Sequence, residues 1–147
     1  MKAVARYLAV VTLALWIGGL SFYALVVVPV GTDVIGGTEQ GFVTQRVTGW
    51  LNWIGVASLV VLLPSVRKRW MLATWAALAL TLAALFALHL RLDALLDGKA
   101  REVISPGTFY NWHRAYLGVT ALQWLGGVAH LWGVVQSTST TLPDSVT

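Results

Sequence analysis

The sequence predicts an all-α integral membrane protein, folded as a four-helix up-down-up-down bundle. Three observations carry that prediction. Of the 147 residues, 57% are hydrophobic and 11% are charged, against about 25% charged in a soluble domain. The mean hydropathy is +0.73, so the chain has too little polar surface to cover a globule in water. Second, four apolar runs approach or exceed the roughly 20 residues that a helix needs to cross a hydrocarbon core. Third, no run alternates with period two as a barrel strand would, and lipid offers no partner to an open backbone group.

The first helix is expected from about Val4 to Pro29. Lys2 and Arg6 resemble a signal peptide's basic region, but the apolar run that follows is well over 20 residues and no small-x-small cleavage site closes it. A signal h-region is about 7–15 residues long, so the segment reads as a retained span. "GTDVIGGTEQG" (31–41), glycine-rich and polar, reads as the first connection. The second helix is expected over about 42–63, and "PSVRKR" (64–69) is a short basic turn. The third covers about 70–96, and "DGKAREVISPG" (97–107) is a charged linker ending in Pro-Gly punctuation. The fourth covers about 109–135, ahead of a polar tail over 137–147. The whole chain, 1–147, is one transmembrane domain on this reading.

Lys2, Arg6, Arg67, Lys68 and Arg69 fall at one end of the bundle, and Arg46, Arg91, Lys99, Arg101 and Arg114 at the other. The basic turn is the shortest loop, where positive charge best marks the cytoplasmic face. Both termini are therefore expected in the cytoplasm, with the protein in the cell's inner membrane. Tyr110, Trp50 and Trp112 suit the outer interface, and Trp70 and Trp75 the inner one. Trp16 and Trp124 lie deeper and are expected in the core. Small residues let helices approach closely. Gln123, Gly126, His130 and Gly133 share one face of the last helix, at spacings of three, four and three.

Several function classes drop out. No cysteine is present, which removes disulfides and thiolate-ligated metals or clusters. The net charge of +4 is spread over loops and helix ends, so no basic stripe points to nucleic acid. No G-x-S-x-G, H-E-x-x-H or P-loop pattern occurs, and no catalytic residue is assigned. The expected partners are the lipid bilayer and other membrane subunits or further copies of the chain.

Ionisable groups in a span are expensive and raise a functional question. Antiparallel helices three and four would put His89 and His113 at the same outer level. His89 and Asp93 are four apart and share a helical face, and Arg46 enters helix two at that level. Three chemistries fit this set. A haem or related tetrapyrrole could take His89 and His113 as axial ligands, with Asp93 orienting one imidazole and Arg46 or Arg114 pairing with a propionate. Copper or zinc could take His89, His113 and Asp93. A proton or redox relay to a lipid-soluble quinone is the third. The same residues also suit a plain interfacial ion-pair network. His130 lies 17 residues beyond His113, about 25 Å along a helix, and reads as a buried histidine bonded to Gln, Thr or a backbone carbonyl.

At "LWIGGLSFYALVVVP" (15–29) the pattern Trp16, Gly18, Gly19, Phe22 and Pro29 resembles the first helix of the copper-resistance D-like group of small four-helix membrane proteins, which includes the transmembrane protein 205-like members. "FYNWHRAYLGVTALQWL" (109–125) resembles that group's last helix. The resemblance implies a four-helix layout and two functional directions, copper handling and the haem binding of the similar bacterial protoporphyrinogen oxidase. That oxidase uses a first-helix histidine, which has no counterpart here, and methionine is limited to Met1 and Met71. The resemblance therefore carries neither the oxidase reaction nor copper transport, and His113 is the position it does carry.

Overall fold

The computed structural model describes residues 2–66 and 68–136, so Arg67 and the polar tail expected over 137–147 lie outside the described residues. Four long helical arms make up an all-α fold. The first arm is α1 (Lys2–Phe22), a π-helical turn (Tyr23–Val27) and α2 (Val28–Ile35). It runs past the expected end at Pro29. A proline inside a helix removes one donor and crowds the preceding turn. Here the widened π turn lies directly before it, and Pro29 occupies the opening turn of α2, where its missing N–H is tolerated.

The expected glycine-rich connection also differs. It shrinks to Gly36, whose φ of 87° is a left-handed value open to glycine. Its N–H donates to the Thr32 carbonyl at 3.1 Å and ends α2. From there α3 runs over Gly37–Leu62, and a single 3-10 turn (Leu63–Ser65) follows. α4 (Arg69–Asp93) stops three residues short of the expected boundary. The charged linker is not structureless. Leu96–Asp97 (β1) pairs antiparallel with Glu102–Val103 (β2) as a small hairpin, before α5 (Pro106–Gln136).

Close approaches between helices are set by small residues facing large ones. A Cβ on Gly55 would lie 2.5 Å from the Trp16 ring, and one on Gly19 would lie 3.4 Å from Leu51. As numbers rise along α1 they fall along α3, since Thr12 also meets Ser58. α5 lays Gly127 against Ile17, and Gly126 and Gly133 against Leu78 and Trp70 of α4. α3 and α4 meet where the Trp75 indole donates to the Leu59 carbonyl at 2.9 Å. The main apolar cluster joins Ala9, Leu13, Trp16 and Ile17 to Leu59, Leu62, Leu78 and Leu82. Trp16 is in the core as expected, whereas Trp124 is 39% exposed and donates to Ser21 at 2.8 Å, tying α5 to α1.

Polar side chains are buried beside the apolar core, and many large apolar ones face outward. Gln40, Asn52, Ser58, Gln123 and His130 are buried, while Leu25, Leu80, Val34 and Trp50 are each more than 70% exposed. Two stretches, Val4–Ile35 and Arg69–Asp93, are long and apolar enough to cross a membrane.

The Gly55–Trp16 contact makes a sharp prediction. Gly55→Ala should lower stability by about 1–3 kcal/mol through overpacking against a rigid indole. Gly18→Ala, at a position with nothing within 4 Å, should be neutral or stabilising through its better helix propensity. Thermal unfolding of the two variants side by side checks the contrast.

Candidate functional site

An open cleft of about 690 Å³ lies along α3 and α4 near one end of the bundle. This falls within the roughly 300–1,000 Å³ range of small-molecule sites. The cleft exists because Gly49 lacks a side chain where α4 presents His89, whose Nε2 would be 3.4 Å from a Cβ there. Trp50 and Trp53 of α3 form flat apolar walls, and Trp53 packs edge-on against Phe86 with ring centroids 5.4 Å apart. Gln45 and Arg46 stand one turn earlier on α3, and His89 and Asp93 face them from α4.

The polar geometry at this cleft is only partly committed. Gln45 donates to Asp93 Oδ1 at 2.9 Å and to the His89 carbonyl at 3.2 Å, which clamps the start of α3 to the end of α4. His89 Nε2 lies 3.9 Å from Asp93 Oδ2, too far for a direct hydrogen bond. His89 Nδ1 is buried and has no hydrogen-bond partner. Neither ring nitrogen makes a hydrogen bond, although Nε2 stands at ion-pair distance from Asp93, and the side chain is 16% exposed. Among the described residues Arg46 makes no ion pair.

The two expected histidines belong to different helix interfaces. α4 turns Leu85, Leu88 and Leu92 toward Phe109, Tyr116 and Val119 of α5, and turns His89 toward α3. His113 is half-buried near the start of α5 and stacks on Phe109, one turn earlier, with ring centroids 5.9 Å apart. Arg114 is exposed. Neither His113 nor Arg114 lines the cleft. The structure thus brings together Arg46, His89 and Asp93, and adds Gln45, Trp50 and Trp53. Among the described residues no three His, Asp or Glu side chains gather as a metal cage would need.

A second polar system lies in the core, on the α5 face of Gln123 and His130. His130 is fully buried, and its Nδ1 is 2.8 Å from Thr74 Oγ1. This is the threonine-bonded histidine the sequence suggested. One heptad earlier on α5 and one heptad later on the antiparallel α4, Thr81 donates to Gln123. A heptad earlier again on α5, the Tyr116 hydroxyl accepts from Asn52 at 3.4 Å. His130 Nε2 and Gln123 Nε2 have no protein partner. Tyr23, Thr44 and Gln40 form a further buried cluster between the π turn and α3, with Tyr23 donating to Thr44 at 3.0 Å.

The hairpin beyond α4 is ordered by Asp97. Its carboxylate accepts the N–H groups of Lys99 at 2.8 Å and Ala100 at 3.0 Å. Those two bonds, Ala100 first, hold its pKa below the ordinary aspartate value. Arg101 then pairs with Glu39 of α3 at 2.8 Å.

Comparison with models of known families, with characterised proteins and with solved structures finds no match. The reading of the site therefore rests on its own residues.

The interior pairs predict an asymmetry. Thr74→Val leaves a fully buried imidazole without a hydrogen bond and should lower stability by about 1–3 kcal/mol. Adding His130→Leu removes the orphan and should recover much of that loss. A double-mutant cycle by thermal unfolding gives the coupling.

Proposed function

We propose that this chain is an integral inner-membrane protein, a four-helix up-down-up-down bundle, whose α3–α4 cleft binds a flat amphipathic ligand of the tetrapyrrole type. The observation that supports the membrane reading is that polar side chains are buried while many large apolar ones face outward. Only 22% of the most apolar window of each spanning candidate is buried inside the fold, whereas the core helix of a soluble protein would be mostly buried. Polar side chains on α3 and α5, Asn52, Ser58, Gln123 and His130, lower the hydropathy of those helices. They point inward, which fits four spans with apolar outer faces. The antiparallel registers of neighbouring arms suit the up-down order. Arg6, Lys68 and Arg69 at one end match a cytoplasmic placement of both termini.

What supports the ligand reading is the His89 imidazole, without a hydrogen bond, in a cleft that Trp50 and Trp53 also line. His89 is the residue that would hold a tetrapyrrole iron, and Arg46 would pair with an acidic side group. Asp93, held by Gln45, stands on the Nε2 side of the ring and would accept that N–H, so a ligand at Nδ1 would need the ring to turn outward. When bound, such a group supplies one-electron or oxygen chemistry. The chain itself supplies the fixed nitrogen, the flat walls and a cationic mouth. Copper or zinc would find two side-chain donors here, His89 and Asp93, fewer than the three typical even of open zinc sites.

The test is spectroscopic. The purified protein given haemin should develop a Soret band, His89→Ala should abolish it, and Asp93→Asn should weaken binding about tenfold. No band, or a band indifferent to His89→Ala, would contradict the assignment. A colourless protein that copurifies with stoichiometric membrane subunits would instead support the rival reading, a structural subunit or assembly factor.

A further inference from the structure

We propose that a second cleft, between the start of α3 and the hairpin, binds the phosphate of an anionic phospholipid headgroup between Arg46 and Arg101. The inference rests on the membrane reading above, and because Arg46 borders both clefts it concerns the protein without a tetrapyrrole in the His89 cleft. The second cleft has a volume of about 370 Å³. It adjoins the first through shared walls, Gln45, Arg46 and Asp93. Phe42 and Leu96 supply its apolar side, and Arg101 reaches it from the hairpin.

Charge decides what it takes. Two guanidiniums, Arg46 and Arg101, and one carboxylate, Asp93, line it, and Asp93 accepts from the neutral Gln45 amide. Glu39, at the start of α3, is engaged with Arg101. Arg46 has no carboxylate within ion-pair distance among the described residues. The Arg101–Glu39 pair is exposed on both sides, at 66% and 40%, so it contributes little in water and exchanges readily. An anion entering the cleft meets one free guanidinium and a second that can leave Glu39 for it. Guanidinium forks match phosphate oxygens in geometry as well as charge.

The backbone adds a separate observation. Arg101 has φ 54°, in the left-handed region, which side-chain-bearing residues seldom enter. Gly98 lies in the same hairpin, yet it is the arginine that adopts this conformation. The Asp97 bonds to Lys99 and Ala100 and the pairing of Leu96 with Val103 hold it there. Unfavourable backbone held in place by its surroundings is a recurrent mark of ligand clamps. The location selects the source of the anion. The cleft sits at the helix ends, where headgroups lie. Its apolar side and the 65% exposed Ile104 beyond the hairpin suit glycerol and acyl carbons.

Native mass spectrometry of the full chain, released from micelles containing equal dioleoyl phosphatidylglycerol and dioleoyl phosphatidylcholine, tests this. The wild type should retain phosphatidylglycerol preferentially. Arg46→Gln and Arg101→Gln should each reduce that occupancy about fivefold, the factor for one cation at a charged surface. Glu39→Gln should raise it, because it removes the competitor for Arg101. This gain cannot come from misfolding. Equal retention of the two lipids, an unchanged preference in Arg46→Gln, or no gain in Glu39→Gln would overturn the proposal. Displacement of the lipid by inorganic phosphate would reassign the cleft to a soluble anion and overturn the lipid assignment. Carbonate washing of membranes separates the two failures. A chain that stays in the membrane without lipid preference sinks this inference alone, and one washed off sinks the membrane reading beneath it.

Discussion

The close fit of large side chains over glycine governs this fold. Gly55 receives Trp16, Gly127 receives Ile17 and Gly133 receives Trp70. In the membrane setting proposed above, lipid offers no bulk hydrophobic difference to press helices together, and packing and interhelical hydrogen bonds do it instead. The glycine contacts set the distances at which Thr74 reaches His130 and Ser58 reaches the Thr12 carbonyl at 3.2 Å. The same constraint creates the cleft. Gly49 leaves room for His89 at the α3 surface, and the exposed indoles of Trp50 and Trp53 follow it on the same helix.

How much of this is written in the sequence depends on the kind of signal. Four helical arms follow from run length and polar punctuation. The inward face of α5 follows from the spacing of Gln123, Gly126, His130 and Gly133, since polar and small residues share one stripe against Leu and Val. The pairing of His89 with Asp93 is a one-turn relation and equally plain. Helix rotation is different. In α4 both faces are apolar, so nothing local says whether His89 meets α3 or α5. The deciding residues are Leu85, Leu88 and Leu92, which any face could carry. His113 faces the same ambiguity, and its stacking on Phe109 satisfies the ring within one helix.

The other departures have local causes. Pro29 and the run of glycines around 31–41 look like a helix end and a loop. A π turn accommodates the proline, and Gly36 absorbs the chain reversal in one residue. The hairpin at 96–103 is too short to show an alternating pattern, and its order comes from Asp97 bonding to its own backbone. Gln45 could have been noticed, because it lies one turn before Gly49 and beside Arg46. Its role as a clamp on Asp93 requires knowing which face of α4 it meets.

The placement of polar and apolar side chains joins these findings. Buried amides, hydroxyls and imidazoles are bonded across helices, apolar side chains face outward, and a partly open polar region lies at a helix end beside a charged hairpin. A medium without hydrogen-bonding capacity around the helices accounts for all three. The chain has no native cysteine, so single cysteines carrying a spin label can report that medium directly. At Leu25 and Leu80 in a reconstituted bilayer, the account predicts high collision rates with oxygen and low rates with a polar nickel chelate, and the reverse at Lys99. Strong contact with the chelate at Leu80 would contradict it.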